Sequence, residues 1–539
     1  MYFYSFYVLT PPLCVNIIIW SKYFCFIGDV FMLSKYARDL KKEFSGYNAK
    51  SLLSDLLAGV TVAAVALPLA IAFGVSSGAT AAAGLLTAIV AGLTIALFGG
   101  AFYQISGPTG AMAAILMSIV AGYGLGGVFV ATVMAGVILV ACGVLKIGKL
   151  TSFIPMPVIC GFTSGIAITI ALGQIDNLLG IKGVGSSATE KLFSYFKLGA
   201  VPELAPFLVG LLVILFMVFY PKKLNAIIPS SLVSIILATA ACAVFSVPVG
   251  TVGEIPKTIF LDTRLNLSDF TLSNMSALIS PAVSIAALGM VESLLCGASA
   301  ARATGVKLDA DRELVAQGIG NIVTPFFGGI PATAAIARTS VAIKSGAKTR
   351  LCGIFHALFI LASMLLLGPL MARIPLSALA GVLLVTAWRM NEWDTIKYIF
   401  SRKFKGGIVK FLVTMIATVL FDLTVAIIIG VIIALILTAV KLSKLQTQIE
   451  KGEEGKARVY IKGAMIFSVT EQIGALSEEL SGAEEITFDL SGVSLLDVSG
   501  AKELYETCEI LSSRGAAVKI EGQSESVGKM LCRAGIIEK

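Results

Sequence analysis

The sequence predicts an α-helical polytopic membrane protein with a small soluble α/β domain at its C-terminal end. Of 539 residues, 57% are hydrophobic and only 14% charged, where a soluble chain has about 25% charged. Mean hydropathy is +0.91. After Lys441 long apolar runs give way to short alternating strand and helix patterns. The net charge of +8 comes mostly from short loops between apolar runs, a pattern that sets membrane orientation and excludes a nucleic-acid footprint. Nine cysteines are scattered singly, several inside apolar runs (Cys142, Cys160, Cys242, Cys296), which suits small core residues better than metal ligands.

Residues 1–50 are expected to form an N-terminal cytoplasmic segment. The first 31 are aromatic-rich, interrupted by Pro11-Pro12, and have neither a basic n-region nor a small-residue cleavage site. They do not read as a secretory signal; an upstream extension without function is the expected reading, against an extra membrane anchor. Met32 opens a basic, amphipathic stretch.

Residues 51–442 are expected to be the transmembrane domain. A full span needs about 20 apolar residues, and the clear runs are 56–75, 80–98, 125–145, 156–175, 205–220, 227–247, 275–298, 352–371, 408–421 and 423–440. Two shorter runs, 104–120 and 328–343, are punctuated by Gly and Pro, as half-helices at membrane depth are. Phe153-Ile154-Pro155-Met156 matches Arg373-Ile374-Pro375-Leu376, and Gly107-Pro108-Thr109-Gly110 matches Ile330-Pro331-Ala332-Thr333. Two matches in the same order and at similar offsets indicate a duplicated unit. Lysine and arginine concentrate on one side, which places both termini in the cytoplasm and requires an even number of spans.

Residues 455–539 read as the soluble domain: two short strands in ARVYIKGAMIFSV, then a helix from Thr470 with an incomplete capping box. A strand ITFDL follows, then a helix stopped by Gly515, a strand AAVKIEG and a helix stopped by Gly535.

Chemistry is expected where the two half-helices begin. Pro108 and Pro331 each stand at the head of an apolar helix, followed by small residues and the hydroxyls Thr109 and Thr333. Proline in a first turn loses no hydrogen bond, and small residues open the free N–H groups to a ligand. Two such N-termini face to face would hold an anion without a buried cationic side chain. Glu292, inside an apolar helix, costs at least ~2.5–3.5 kcal/mol to insert and must face protein or water. On its face lie Gly289, Cys296 and Ser299. Beside an anion a carboxylate suits a carrier of H⁺ or a ligand of Na⁺. His356 reads as a packed core residue and Asp422 as a turn or cap. Arg338 reads equally as a source of positive potential or as a side chain reaching the cytoplasmic face. No Walker motif, metal cluster or nucleophile triad is present, so no enzyme and no cofactor beyond a coupling ion is expected.

The run AQGIGNIVTPFFGGIPATAAIARTSVAIKSGAKTR (316–350), with QISGPTGAMAA and PLAIAFG (68–74), closely resembles the sulfate permease (SulP) family of anion transporters. FDLSGVSLLDVSGAKEL (488–504) resembles the STAS domain. The resemblance implies fourteen segments in two inverted seven-segment repeats, core and gate domains, elevator-like motion and a homodimer in the plasma or inner membrane. It implies an anion pocket of Leu69, Phe73, Thr109, Thr333, Ala334 and Ala335, capped by Gly107, Pro108 and Pro331. Glu292 matches the acidic position of cation coupling, and Cys296 stands where some relatives carry a Na⁺-binding hydroxyl, which tilts the reading toward H⁺. In the STAS loop, Asp497 and Ser499 mark a regulatory site, but Val498 replaces one of two hydroxyl residues, so phosphorylation there is not expected with the usual pair. A cytoplasmic regulator is a further expected partner, besides the anion and membrane lipid; nucleic acid is not. Sulfate, bicarbonate and C4-dicarboxylates all suit such a pocket. A nucleobase permease and a non-transporting membrane sensor are the competing readings. The former usually carries an acid where this chain has Thr333, and lacks a STAS domain.

Overall fold

The computed structural model describes residues 35–148, 155–181, 183, 194–195, 197, 201–225, 228–421, 423–442, 445–452 and 455–537. Residues 1–31, Phe153, Ile154 and Asp422 lie outside them. The chain divides into two compact units, Met1–Gly430 and Val431–Lys539.

The first unit is helical. Its helices are α1 (Ala49–Ser76), α2 (Ala81–Phe98), α3 (Gly110–Val144), α4 (Met156–Gly173), α5 (Leu204–Phe219), α6 (Ser230–Val244) and α7 (Ile279–Thr304). There follow α8 (Ala310–Val323), α9 (Ile336–Lys344), α10 (Leu351–Met371), α11 (Leu376–Met390), α12 (Trp393–Ser401), α13 (Lys405–Leu420) and α14 (Leu423–Leu442), the last crossing the division between units. Among the described residues, six helices are long and apolar enough to cross a membrane. Two extended pieces precede α3 and α9: β1 (Ser106–Gly107) and β2 (Thr333–Ala334).

The helices fall into two groups that touch each other. α1, α2, α3, α7, α8, α9 and α10 form one bundle, and α4, α5, α11 and α13 the heart of the other. Small residues allow close crossings: a Cβ on Gly136 of α3 would come 2.7 Å from the carbonyl of Gly318 on α8, and one on Gly318 2.6 Å from that of Gly136. In the second bundle, a Cβ on Gly161 of α4 would meet the Phe411 carbonyl at 2.4 Å.

The runs 104–120 and 125–145 are two helical pieces within α3, joined across a kink at Gly124, whose φ of +67° only glycine adopts readily. Two expectations need correction. α8 and α11 were absent from the expected spans; α8 carries Arg312, Glu313, Gln317 and Asn321, all buried, so its hydropathy falls although it lies in the interior. Pro108 and Pro331 are not in first helical turns. Thr109 is the N-cap of α3, and Pro331 stands ahead of β2. Proline fixes the extended approach to each helix and forces its predecessor extended too.

Helical turns over 35–43 lie against this unit through a stripe of ion pairs. Lys35 pairs with Asp309 (2.6 Å), Asp39 with Arg312 (2.7 Å) and Glu43 with Arg350 (2.8 Å). The two arginines also donate to carbonyls at the end of α2, Arg312 to Gly99 and Arg350 to Leu97, as cations at a helix C-terminus do.

The second unit contains a four-stranded sheet in the order β3 (Gln446–Lys451), β4 (Lys456–Met465), β5 (Glu485–Leu496) and β6 (Ala517–Glu521). β3 and β4 are antiparallel; β4, β5 and β6 are parallel. Helices α15 (Thr470–Glu479), α16 (Val498–Ser513) and α17 (Glu525–Arg533) connect and cover it. The two strands expected in ARVYIKGAMIFSV are one strand and a 3-10 turn, and β3 precedes the expected start at 455. Val469, not Thr470, occupies the N-cap of α15. The stops at Gly515 and Gly535 stand.

Candidate functional site

The N-termini of α3 and α9 meet across a two-residue antiparallel ribbon, with Ser106 opposite Ala334 and Gly107 opposite Thr333. The duplicated motifs thus pair with each other. Gly107 is required: its φ is +155°, and a Cβ there would come 2.8 Å from Arg338 Nη1. Each helix start leaves first-turn N–H groups without intrahelical partners, and the Thr109 hydroxyl takes one of them, from Met112.

Glu292 of α7 closes the arrangement. Its Oε2 accepts from Thr109 Oγ1 at 3.0 Å and from Thr333 Oγ1 at 2.5 Å, and the two hydroxyl oxygens stand 3.1 Å apart. Three oxygens, from α7, the N-cap of α3 and β2, therefore converge where α3 and α9 begin. A carboxylate so placed can hold a proton, and oxygens are the donors that hard cations prefer.

Arg338 lies within the bundle, 1% exposed. Its Nη2 donates to Pro108 O at 2.8 Å, so its head is turned inward and does not extend to solvent. It supplies a fixed positive charge behind the ribbon, within electrostatic range of Glu292. His356 is fully buried, as expected of a core residue.

Other expected site residues divide. Phe73 and Ile170 lie against Gly110, so they wall the start of α3; Leu69, one turn before Phe73, is buried in the same core. The backbone N–H of Ala334 goes to Ser293 Oγ (3.3 Å) and that of Ala335 to Ile105 O (3.0 Å). Those two residues therefore hold the ribbon with their backbone donors, while Ile336 and Ala337 in the first turn of α9 are exposed. The Cys296 thiol donates to Thr339 Oγ1 of α9 at 3.2 Å. An apolar groove of about 740 Å³ between α5 and α6 has Ser234 as its polar lining residue and suits no ion.

Sequence reasoning missed the polar residues beneath the ribbon, Gln104, Ser293, Glu313, Gln317 and Asn321, all buried to 3% or less. The spacing 313, 317, 321 puts three polar groups on one helix face, and that signal was available in the sequence.

In the second unit, Asp497 is the N-cap of α16, accepting from Gly500 N at 2.7 Å and from Phe467 N at 2.9 Å. Ser499 is exposed in the first turn of that helix. The described Asp497 contacts are those of a structural cap.

The Sulfate permease family matches residues 52–417 and the STAS domain residues 443–539. A Bacillus subtilis protein provisionally named sulfate transporter YvdB is 33% identical over 520 residues, covering 92% of this chain and 96% of that one. Bicarbonate transporter BicA of Picosynechococcus is 31% identical, over 89% and 90% of the two chains. The solved transmembrane domain of a cyanobacterial BicA superimposes with a TM-score of 0.65 at 31% identity, over 72% of this chain and 98% of that one. Murine Slc26a9 shares the fold, with a TM-score of 0.80 at 19% identity over 92% and 89%. The ribbon-joined helix starts, the carboxylate between them and the appended sheet domain therefore belong to a member of the sulfate permease family of membrane anion transporters, with a STAS domain at its C-terminal end.

Proposed function

We propose that this protein is a secondary active symporter of a small anion, sulfate, bicarbonate or a C4-dicarboxylate, driven by protons. The observation that carries the reading is Glu292 accepting both threonine hydroxyls at the facing starts of α3 and α9. First-turn N–H groups and the buried Arg338 supply positive potential for an anion. A carboxylate in the same place repels that anion until a cation neutralises it, which couples the two. The named activities of YvdB and BicA support the substrate class.

On this reading the described helices supply fourteen segments, with α3 counted twice at its Gly124 break and α12 left out. α1–α6 correspond to α7–α11, α13 and α14. The bundle carrying the site would move as the core against the bundle of α4, α5, α11 and α13 as the gate, an elevator motion. The protein would sit in the plasma or inner membrane with both termini cytoplasmic, and would function as a homodimer.

A second reading is Na⁺ coupling. Three oxygens within about 3 Å of one another are the donors such an ion prefers. Uptake of radiolabelled sulfate, bicarbonate and succinate into proteoliposomes, under imposed pH or sodium gradients, tests both. Proton coupling predicts uptake that rises as external pH falls and concentrates under an inward proton gradient. Accumulation under a sodium gradient alone overturns it in favour of sodium. A protein that takes up none of these anions under any gradient is not the transporter proposed.

A further inference from the structure

Beneath the ribbon, α8 presents Glu313, Gln317 and Asn321 at i, i+4 and i+8, one above the other on a single face. Each is exposed by 1% or less. Glu313 at the foot accepts from Gly100 N (2.9 Å), Gln104 Nε2 (3.0 Å) and Gln317 Nε2 (2.9 Å). Gln317 Nε2 also donates to Ser106 Oγ in β1 at 3.0 Å. At the head, Asn321 meets one residue twice: its Oδ1 accepts from Ala332 N at 2.8 Å and its Nδ2 donates to Ala332 O at 3.0 Å. The same Nδ2 donates to Gln317 O at 2.8 Å, which fixes the plane of the amide.

A carboxamide that satisfies both backbone groups of one residue does what a neighbouring strand would do. Ala332 immediately precedes Thr333, whose hydroxyl reaches Glu292. From α2, Thr87 Oγ1 holds the other backbone group before the ribbon, accepting from Ile330 N–H at 2.7 Å while its own proton has Ala83 O at 2.7 Å as the nearer acceptor. The ribbon itself has only two residue pairs, too few to fix its own height. Buried N–H and C=O groups left unpaired would turn the strand until they found partners.

We propose, on the reading of Glu292, Thr109 and Thr333 as the transport site, that Asn321 is a positioning residue for that site. It sets the height of the approach to α9, and with it the aim of the Thr333 hydroxyl and of the first N–H groups of α9 at the anion. Glu313 and Gln317 form the ladder on which it stands, and Thr87 is its counterpart on the other side.

The test compares Asn321→Leu, of similar size without polar atoms, with Thr324→Val. Thr324 donates within the same helix to Gly320 O at 2.6 Å and is fully buried. Its loss removes a buried hydrogen bond without releasing the ribbon. The readouts are KM and maximal rate, per folded protein, for whichever of radiolabelled sulfate, bicarbonate or succinate the wild type takes up in proteoliposomes. Asn321→Leu is expected to raise KM about tenfold or more, with the maximal rate within about threefold; Thr324→Val leaves KM within about twofold. A wild-type KM for Asn321→Leu, or one shifted no more than that of Thr324→Val, overturns the proposal. Thr87→Val, on a different helix, supplies the same measurement where Asn321→Leu does not fold: a raised KM supports the proposal and an unchanged one overturns it. Wild-type protein that transports none of the three anions overturns the transport reading instead, a result distinct from either.

Discussion

Charged and polar side chains are handled differently in the two units of this protein. In the membrane unit several of them are closed in. Glu43 and Arg350 form an ion pair whose side chains are 1% and 4% exposed, Glu313 is satisfied by neutral donors, and Arg338 is enclosed. In the STAS unit, by contrast, Arg458 joins Asp489 (3.2 Å) and Glu521 on the sheet surface, with Arg458 44% and Glu521 47% exposed. Lys519 and Lys456 flank an equally accessible Glu485. Water solvates the second set in folded and unfolded chains alike, so each pair adds little. It cannot solvate the first, so each group is tied to its partner and removing either leaves an uncompensated one. Residues of the same kind therefore specify structure and function in one unit and mainly solubility in the other.

The largest effect falls on Glu292. Glu292→Gln keeps an acceptor for the threonine hydroxyls and mimics the neutral form. It should still bind the anion, with an affinity less dependent on pH, yet fail to accumulate it against a gradient. Uptake under an imposed proton gradient measures this; concentrative uptake equal to wild type would make Glu292 a structural residue. Next comes Glu43→Ala, which leaves Arg350 buried without its counter-charge and should cost about 3–5 kcal/mol, read as a lowered unfolding midpoint of the purified protein in detergent. Asp39→Ala breaks the neighbouring pair, where the carboxylate is 32% exposed. Its partner Arg312 is 9% exposed, so the cost should fall between the limits for exposed and buried pairs, at about 1–3 kcal/mol. Equal losses for the two would erase the contrast drawn from burial.

Legibility in the sequence followed the same division. The facing helix starts could be read because the duplicated Gly107-Pro108-Thr109 and Ile330-Pro331-Ala332 motifs carry their own internal control, each making the other improbable by chance. Glu292 could be read because a carboxylate in an apolar run has few bland explanations. α8 could not be read from hydropathy, since the residues that make it the support of the site, Glu313, Gln317 and Asn321, are the ones that lower its apolar average. The prolines were placed a few residues too far into their helices because a two-residue ribbon has no period for a sequence to display. Cys296 was weighed for cation coupling because the resemblance puts it where some relatives carry a Na⁺-binding hydroxyl, but a matched position does not name a partner; Thr339 on α9 takes the thiol. In the STAS unit, β3 was missed because its six residues are mostly exposed and lack strand alternation.

The smallest effect belongs to the STAS surface, and pH gives it a sign. The Asp489 carboxyl is held below its ordinary value by hydrogen bonds from Ser491 and by Arg458, and Glu485 is lowered chiefly by Lys519. A carboxylate with a depressed folded value contributes stability above its unfolded value, near 4. That contribution disappears as pH falls through the lower folded one. Arg458 stays protonated throughout and adds no titration of its own. Hydrogen exchange of the full-length protein, corrected for intrinsic rates, should therefore show β5 and β6 amides equally protected between pH 7 and 5. Between about pH 4 and 3 they should lose protection modestly. Arg458→Ala at pH 7 should change that protection by about twofold or less, since water replaces the lost partner for both carboxylates. A large loss in Arg458→Ala at neutral pH would mean that this surface cluster behaves like the enclosed pairs of the membrane unit, and that exposure is not what separates the two.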